Sequence, residues 1–82
     1  MKLPRDLSGS DLAQVLSGLG YQLTRQTGSH MRFTTTVNGQ HHVTIPKHNP
    51  LRVGTLAHIL QEVAGHLNRS REDVIRQLFE NQ

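Results

Sequence analysis

Leu12, Val15, Leu16 and Leu19 recur at the three- and four-residue spacing of one face of an α-helix. Ser8 with Asp11 has the form of a capping box that would start this helix, and Gly18 and Gly20 supply its stop. From Tyr21 the period changes to alternation. Tyr21 and Leu23 point one way while Gln22, Thr24 and Gln26 point the other. Met31 and Phe33 then alternate with His30, Arg32 and Thr34, and Val43 and Ile45 alternate with His42 and Thr44. Three strands are therefore expected to follow the first helix.

Residues directly opposite in an antiparallel pair share a face, so the apolar positions also predict the register. A two-residue Asn38-Gly39 turn would set Phe33 against Thr44. A three-residue loop, Val37-Asn38-Gly39 with Gly39 left-handed, pairs Met31 with Ile45 and Phe33 with Val43 instead. The same logic makes Gln26-Thr27-Gly28 the loop of the first hairpin, pairing Leu23 with Met31 and Tyr21 with Phe33. His30 would then sit beside Thr24 and near Pro46, and Arg32 between Gln22 and Thr44.

Pro46 and Pro50 bracket a short loop that ends the third strand. Leu56, Ile59, Leu60 and Val63 form the stripe of a second helix, with Gly65 as its expected end. Ser70 and Asp73 suggest another capping box, opening a short third helix through Val74, Ile75, Leu78 and Phe79. The predicted fold class is α+β: a helix, a three-stranded antiparallel sheet and a helix, plus a short C-terminal helix. Helices cover one sheet face and the other is open and polar.

Composition narrows what such a fold can do. The chain has 82 residues, 34% of them hydrophobic, and only Tyr21, Phe33 and Phe79 are aromatic. One small domain with a thin core is expected, with little room for a deep ligand pocket. The sequence contains no cysteine, which excludes a disulfide framework, a zinc ribbon and thiol catalysis. Pro4, Arg5 and Asp6 interrupt the amino terminus before any apolar run long enough for a signal peptide or a membrane span, so a cytoplasmic protein without membrane contact is expected.

The net charge of +3 is unevenly spread. Through Arg52, six basic residues stand against Asp6 and Asp11; beyond it, three arginines stand against four acids. Four of the six histidines, His30, His41, His42 and His48, also fall in the basic part. Imidazoles beside cations suit acid/base work on an anionic substrate, although a solvated basic surface would have the same composition.

The open face, with His30, Arg32, Thr34, His42 and Thr44, and Lys47 and His48 at its end, holds the chemistry-bearing groups. An imidazole can take a proton from a ribose 2′-hydroxyl or give one to a leaving oxygen, while cations hold the phosphate. No cofactor is called for. A metal set is poorly supported, because His41 and His42 face opposite ways on a strand and no cysteine or nearby carboxylate completes one. Ser29 and His30 are sequence neighbours rather than the converging parts of a hydrolase triad. His58 and His66 are read as lining the exposed side of the second helix, and Leu78 with Phe79 as a small hydrophobic docking surface; the terminal helix as a whole, with Val74, Ile75, Leu78 and Phe79 in a broad apolar stripe, is expected to pack as a lid on the core.

Gly28-Ser29-His30 with Phe33, then Ile45-Pro46-Lys47-His48, then Gly54-Thr55-Leu56 and Ile59-Leu60, in this order and spacing, resemble the HicA-type (YcfA-like) toxin family. The resemblance runs from about Ser8 to Gly65 and implies a fold like the double-stranded RNA-binding domain. It further implies a ribosome-independent mRNA endonuclease, toxin of a type II toxin–antitoxin pair, neutralised by a HicB-type antitoxin. Carried over by position, the family's catalytic histidine falls on His30, its turn glycine on Gly28 and the adjoining hydroxyl residue on Ser29. The charge pattern adds Arg32, Lys47 and His48 as substrate contacts, with Arg25 and Arg52 at the margin and Gly28 and Gly39 as structural turn residues. Residues 1–82 are then one HicA-like domain with 68–82 as a terminal helical extension, for which a dimer contact or an antitoxin surface are the alternatives to packing on the core. A non-catalytic RNA-binding module and a small metal-binding or protein-interaction domain are the alternatives, and oligomeric state is left open.

Overall fold

The computed structural model describes residues 6–80. Lys2 and Arg5, counted among the basic residues above, lie outside the described residues. The elements are α1 (Gly9–Ser17), β1 (Gln22–Thr27), β2 (His30–Thr35), β3 (His41–Pro46), α2 (Val53–His66) and α3 (Arg71–Ile75), the last continuing as a π-helical turn, Arg76–Glu80. The strands form one antiparallel sheet in the order β1-β2-β3.

Local chemistry sets the helix ends. The Ser8 hydroxyl accepts from the Asp11 N–H at 3.0 Å while the Ser8 N–H donates to the Asp11 carboxylate at 3.2 Å, completing the expected capping box. At α3 only half of such a box forms: Ser70 accepts from the Asp73 N–H, but the Asp73 carboxylate turns to Arg76, 3.3 Å away. Gly65 does not end α2. The helix runs on to His66 and closes in a Schellman motif, in which the Asn68 N–H donates to the Gly65 carbonyl and the Arg69 N–H to that of Ala64. Asn68 supplies the left-handed residue, with φ +56°.

Leu12 and Leu16 of α1, Leu56, Leu60 and Val63 of α2, and Met31, Phe33, Val43 and Ile45 of the sheet meet in one hydrophobic core. Val74, Ile75 and Leu78 belong to the same cluster. Leu78 is thus a core residue and not part of a docking surface; Phe79 is half-buried beside it. On the opposite sheet face His30, Arg32, His42 and Thr44 are exposed.

The second hairpin keeps the predicted register, with Met31 opposite Ile45 and Phe33 opposite Val43. Its loop holds both Asn38 (φ +59°) and Gly39 (φ +97°) left-handed. The first hairpin differs from expectation. Its loop is the two-residue Gly28-Ser29 turn between Thr27 and His30, and Leu23 lies opposite Phe33, not Met31. Gly28 alone has positive φ there (+56°), the pattern of a type II′ turn. A bulge between Leu23 and Arg25 absorbs the register change, so Thr24 is an extra residue on β1.

Candidate active site on the open sheet face

The register decides what surrounds His30. As the first residue of β2 it lies opposite Thr27 on one side and Pro46 on the other. Arg32, two residues along on the same face, lies between Arg25 and Thr44, where the alternation pattern placed Gln22. The His30 side chain is exposed and makes no hydrogen bond among the described residues, so its imidazole is free to meet a ligand.

The loop after β3 is fastened to this end of the sheet through its backbone. The Lys47 N–H donates to the Ser29 carbonyl at 2.6 Å, bringing the Lys47 residue against the turn that precedes His30. The Gly9 N–H donates to the His48 carbonyl at 2.9 Å, and the Leu51 N–H to the Leu7 carbonyl at 2.7 Å. Gly9 sits so close that a Cβ there would run into the Pro46 carbonyl oxygen. Ser29, His30, Arg32 and Lys47 are therefore grouped by main-chain geometry, and the exposed side chain of His48 follows directly. Arg52, beyond Leu51 at the start of α2, is not among the residues that the strand register sets beside His30. Gly39 lies in the other hairpin, where its positive φ shapes the turn.

The charge environment of this face is one-sided. From Leu12 to Gln61 the sequence contains no Asp or Glu, so every strand and connecting turn is free of carboxylates. Ion pairs among the described residues are confined to helices, His58 with Glu62 and Arg76 with Asp73. Arg25, Arg32 and Lys47 have no such partner among the described residues. This uninterrupted run is a signal that counting net charge by halves misses. Along the same face, Thr24 Oγ1 bonds Thr34 Oγ1 at 2.8 Å, and Thr34 Oγ1 bonds His42 Nδ1 at 2.7 Å, a polar row across all three strands.

His41 and His42 do face opposite ways. His41 lies on the helix side, where its Nδ1 is 2.9 Å from the Tyr21 hydroxyl and its ring stacks on His66, with centroids 4.4 Å apart. His66 is not a solvent-lining residue of α2, because its Nε2 faces the carbonyl oxygens of Val37 (2.9 Å) and Gly39 (3.0 Å) and so must donate to them. Asn38 returns a bond to the His66 carbonyl. Burial, reinforced by the Glu62 carboxylate, pushes the Tyr21 phenol up to about 12. The His41 pKa is lowered, first by burial and then by the His66 ring, with His42 adding and Glu62 opposing.

A histidine whose pKa falls on folding binds fewer protons when folded, so stability should rise with pH across its range. The His41 contribution is present in full above the unfolded value of about 6.5 and is lost progressively as pH falls below it. Thermal melts are expected to drop from pH 7.5 to pH 5.5, and to drop less in His66→Gln, which keeps a donor toward the turn and removes one of the stacked imidazoles. An equal drop in both proteins would count against this stack as the acid-sensitive element.

Comparison with known proteins adds one match. The family model described as HicA toxin of bacterial toxin-antitoxin matches residues 9–64, which run from the first residue of α1 almost to the end of α2. No curated protein and no solved structure matches.

Proposed function

The chain belongs to the HicA toxin family of bacterial toxin–antitoxin systems, and on that footing we propose that it is an endoribonuclease acting on messenger RNA. His30 is its general acid/base. The observation that carries this reading is an exposed His30 side chain, without a hydrogen bond among the described residues, beside Arg32 and Lys47 on a face without a carboxylate. Such a face attracts a polyanion and sets against it an imidazole that no other side chain engages.

In the proposed reaction the His30 imidazole takes the proton of a ribose 2′-hydroxyl. The 2′-oxygen attacks the adjacent phosphorus, the bond from phosphorus to the 5′-oxygen breaks, and that oxygen collects a proton from the imidazolium or from water. The products are a 2′,3′-cyclic phosphate and a 5′-hydroxyl. Charge building on the non-bridging oxygens is met by Lys47, with Arg32 holding the neighbouring backbone and Ser29 and His48 at the edge of the same site. The nucleophile comes from the substrate, so the scheme calls on no cofactor or metal. The partner is a HicB-type antitoxin that silences the toxin by covering His30, and the setting is the cytoplasm; no helix among the described residues is long and apolar enough to cross a membrane.

The nucleophile supplies the test. End-labelled RNA should be cut in the presence of a chelator to give cyclic-phosphate ends, and a chimaera with one 2′-deoxynucleotide should resist cleavage at the following bond. Cleavage of that bond at the all-RNA rate would overturn the mechanism. RNA retained intact at low salt would instead make the protein a binding module.

A further inference from the structure

We propose that Arg25 and Arg32 form a phosphate clamp that holds single-stranded RNA along β2 beside His30, an inference that rests on the nuclease reading above. The bulge on β1 creates this clamp. Strict alternation would give Arg25 the same face as Leu23, toward the helices. With Thr24 as the extra residue, Thr24 and Arg25 both fall on the open face. Thr24 Oγ1 reaches Thr34 Oγ1 and the Arg32 carbonyl, and Arg25 becomes the cross-strand partner of Arg32. Bulges commonly re-aim one side chain in this way.

Two arginines directly opposite each other repel, which disfavours the pairing unless an anion lies between them. Neither has an ion pair among the described residues, and no acidic side chain occurs on any strand. Each guanidinium presents a planar fork that matches phosphate oxygens. His30 precedes Arg32 by two residues, about 7 Å along an extended strand, so the clamp would grip a phosphate flanking the one attacked.

The shape of the face favours a single strand. Three strands span roughly 10 Å between the outer two, whereas modules that read duplex RNA contact about 16 base pairs over successive grooves. Tyr21 and Phe33 are buried, so the open face carries no large aromatic platform for bases. Recognition by this clamp falls on the backbone and should be tolerant of sequence.

The test separates binding from cleavage. Full-length His30→Ala protein, titrated into a fluorescent single-stranded RNA at several salt concentrations, should show a log–log salt slope that falls by about 0.7 when Arg25→Gln is added. Arg32→Gln should do the same, and Arg25→Lys should restore the slope while recovering only part of the affinity. In the cleaving protein, Arg25→Gln should raise KM and leave kcat within about twofold, as expected when an interaction held equally in ground and transition states is removed. A slope unchanged by Arg25→Gln in a protein that melts normally would overturn the clamp, as would a duplex of the same sequence bound as tightly as the single strand. Reduced slopes in a protein that cuts no RNA would keep the clamp and remove the nuclease.

Discussion

Replacing His30 by alanine is expected to leave the fold intact and to slow RNA cleavage by at least about 100-fold, the lower end of what a positioned acid/base contributes. The His30 side chain is exposed at the start of a strand and makes no hydrogen bond among the described residues, so its removal should change stability by no more than about 0.5 kcal/mol. The two readouts therefore separate: the thermal melt should coincide with that of the wild type while the cleavage rate collapses. Induced expression of the wild type should arrest bacterial growth, and His30→Ala should not. A folded His30→Ala protein that cleaves at the original rate would sink the assignment of His30, whatever the growth result.

Removal of residues 70–82 is expected to unfold the remainder. Val74 is fully buried, and Ile75 and Leu78 are 3% and 4% exposed, within the same core as α1 and α2. At about 1.5–3 kcal/mol for each buried aliphatic side chain, their loss is comparable to the roughly 5–15 kcal/mol that stabilises a whole domain. The truncated chain would also uncover apolar surface on α2, the helix on which α3 packs. Circular dichroism should show no cooperative melt near that of the full chain. A truncated protein that melts at the same temperature would make the terminal helix an appendage. The family match stops at residue 64, so in this chain the core is closed by residues outside the matched segment.

Helix and strand identities were legible because each apolar stripe has one period, and the second hairpin because only one loop length put Met31 and Phe33 opposite Ile45 and Val43. The first hairpin was not legible by the same rule. A glycine with positive φ at position 28 suits a three-residue loop as well as the two-residue turn that forms, so Gly28 could not choose between them. Tyr21 biased the choice toward pairing with Phe33, yet it precedes β1, its N–H bonding the Leu16 carbonyl and its hydroxyl engaging His41. A bulge leaves no trace in an alternating pattern when the extra residue is a polar Thr24 among polar neighbours. His30, Arg32 and Lys47 were reachable from alternation and strand order; Arg25 opposite Arg32 was not. The end of α2 was missed for a related reason, since asparagine as well as glycine can take the left-handed conformation that closes a helix, and Asn68 does so here.

The loop after β3 is moored at Lys47 and His48 by its amide and carbonyl groups alone, one to Ser29 and one to Gly9. Neither bond uses a side chain. Lys47 and His48 can therefore be exchanged for other residues without moving the platform that carries them, so charge and proton affinity beside His30 can drift by point mutation on a constant scaffold. Gly9 is the opposite case, a position with no functional group whose replacement would push the whole platform away from α1.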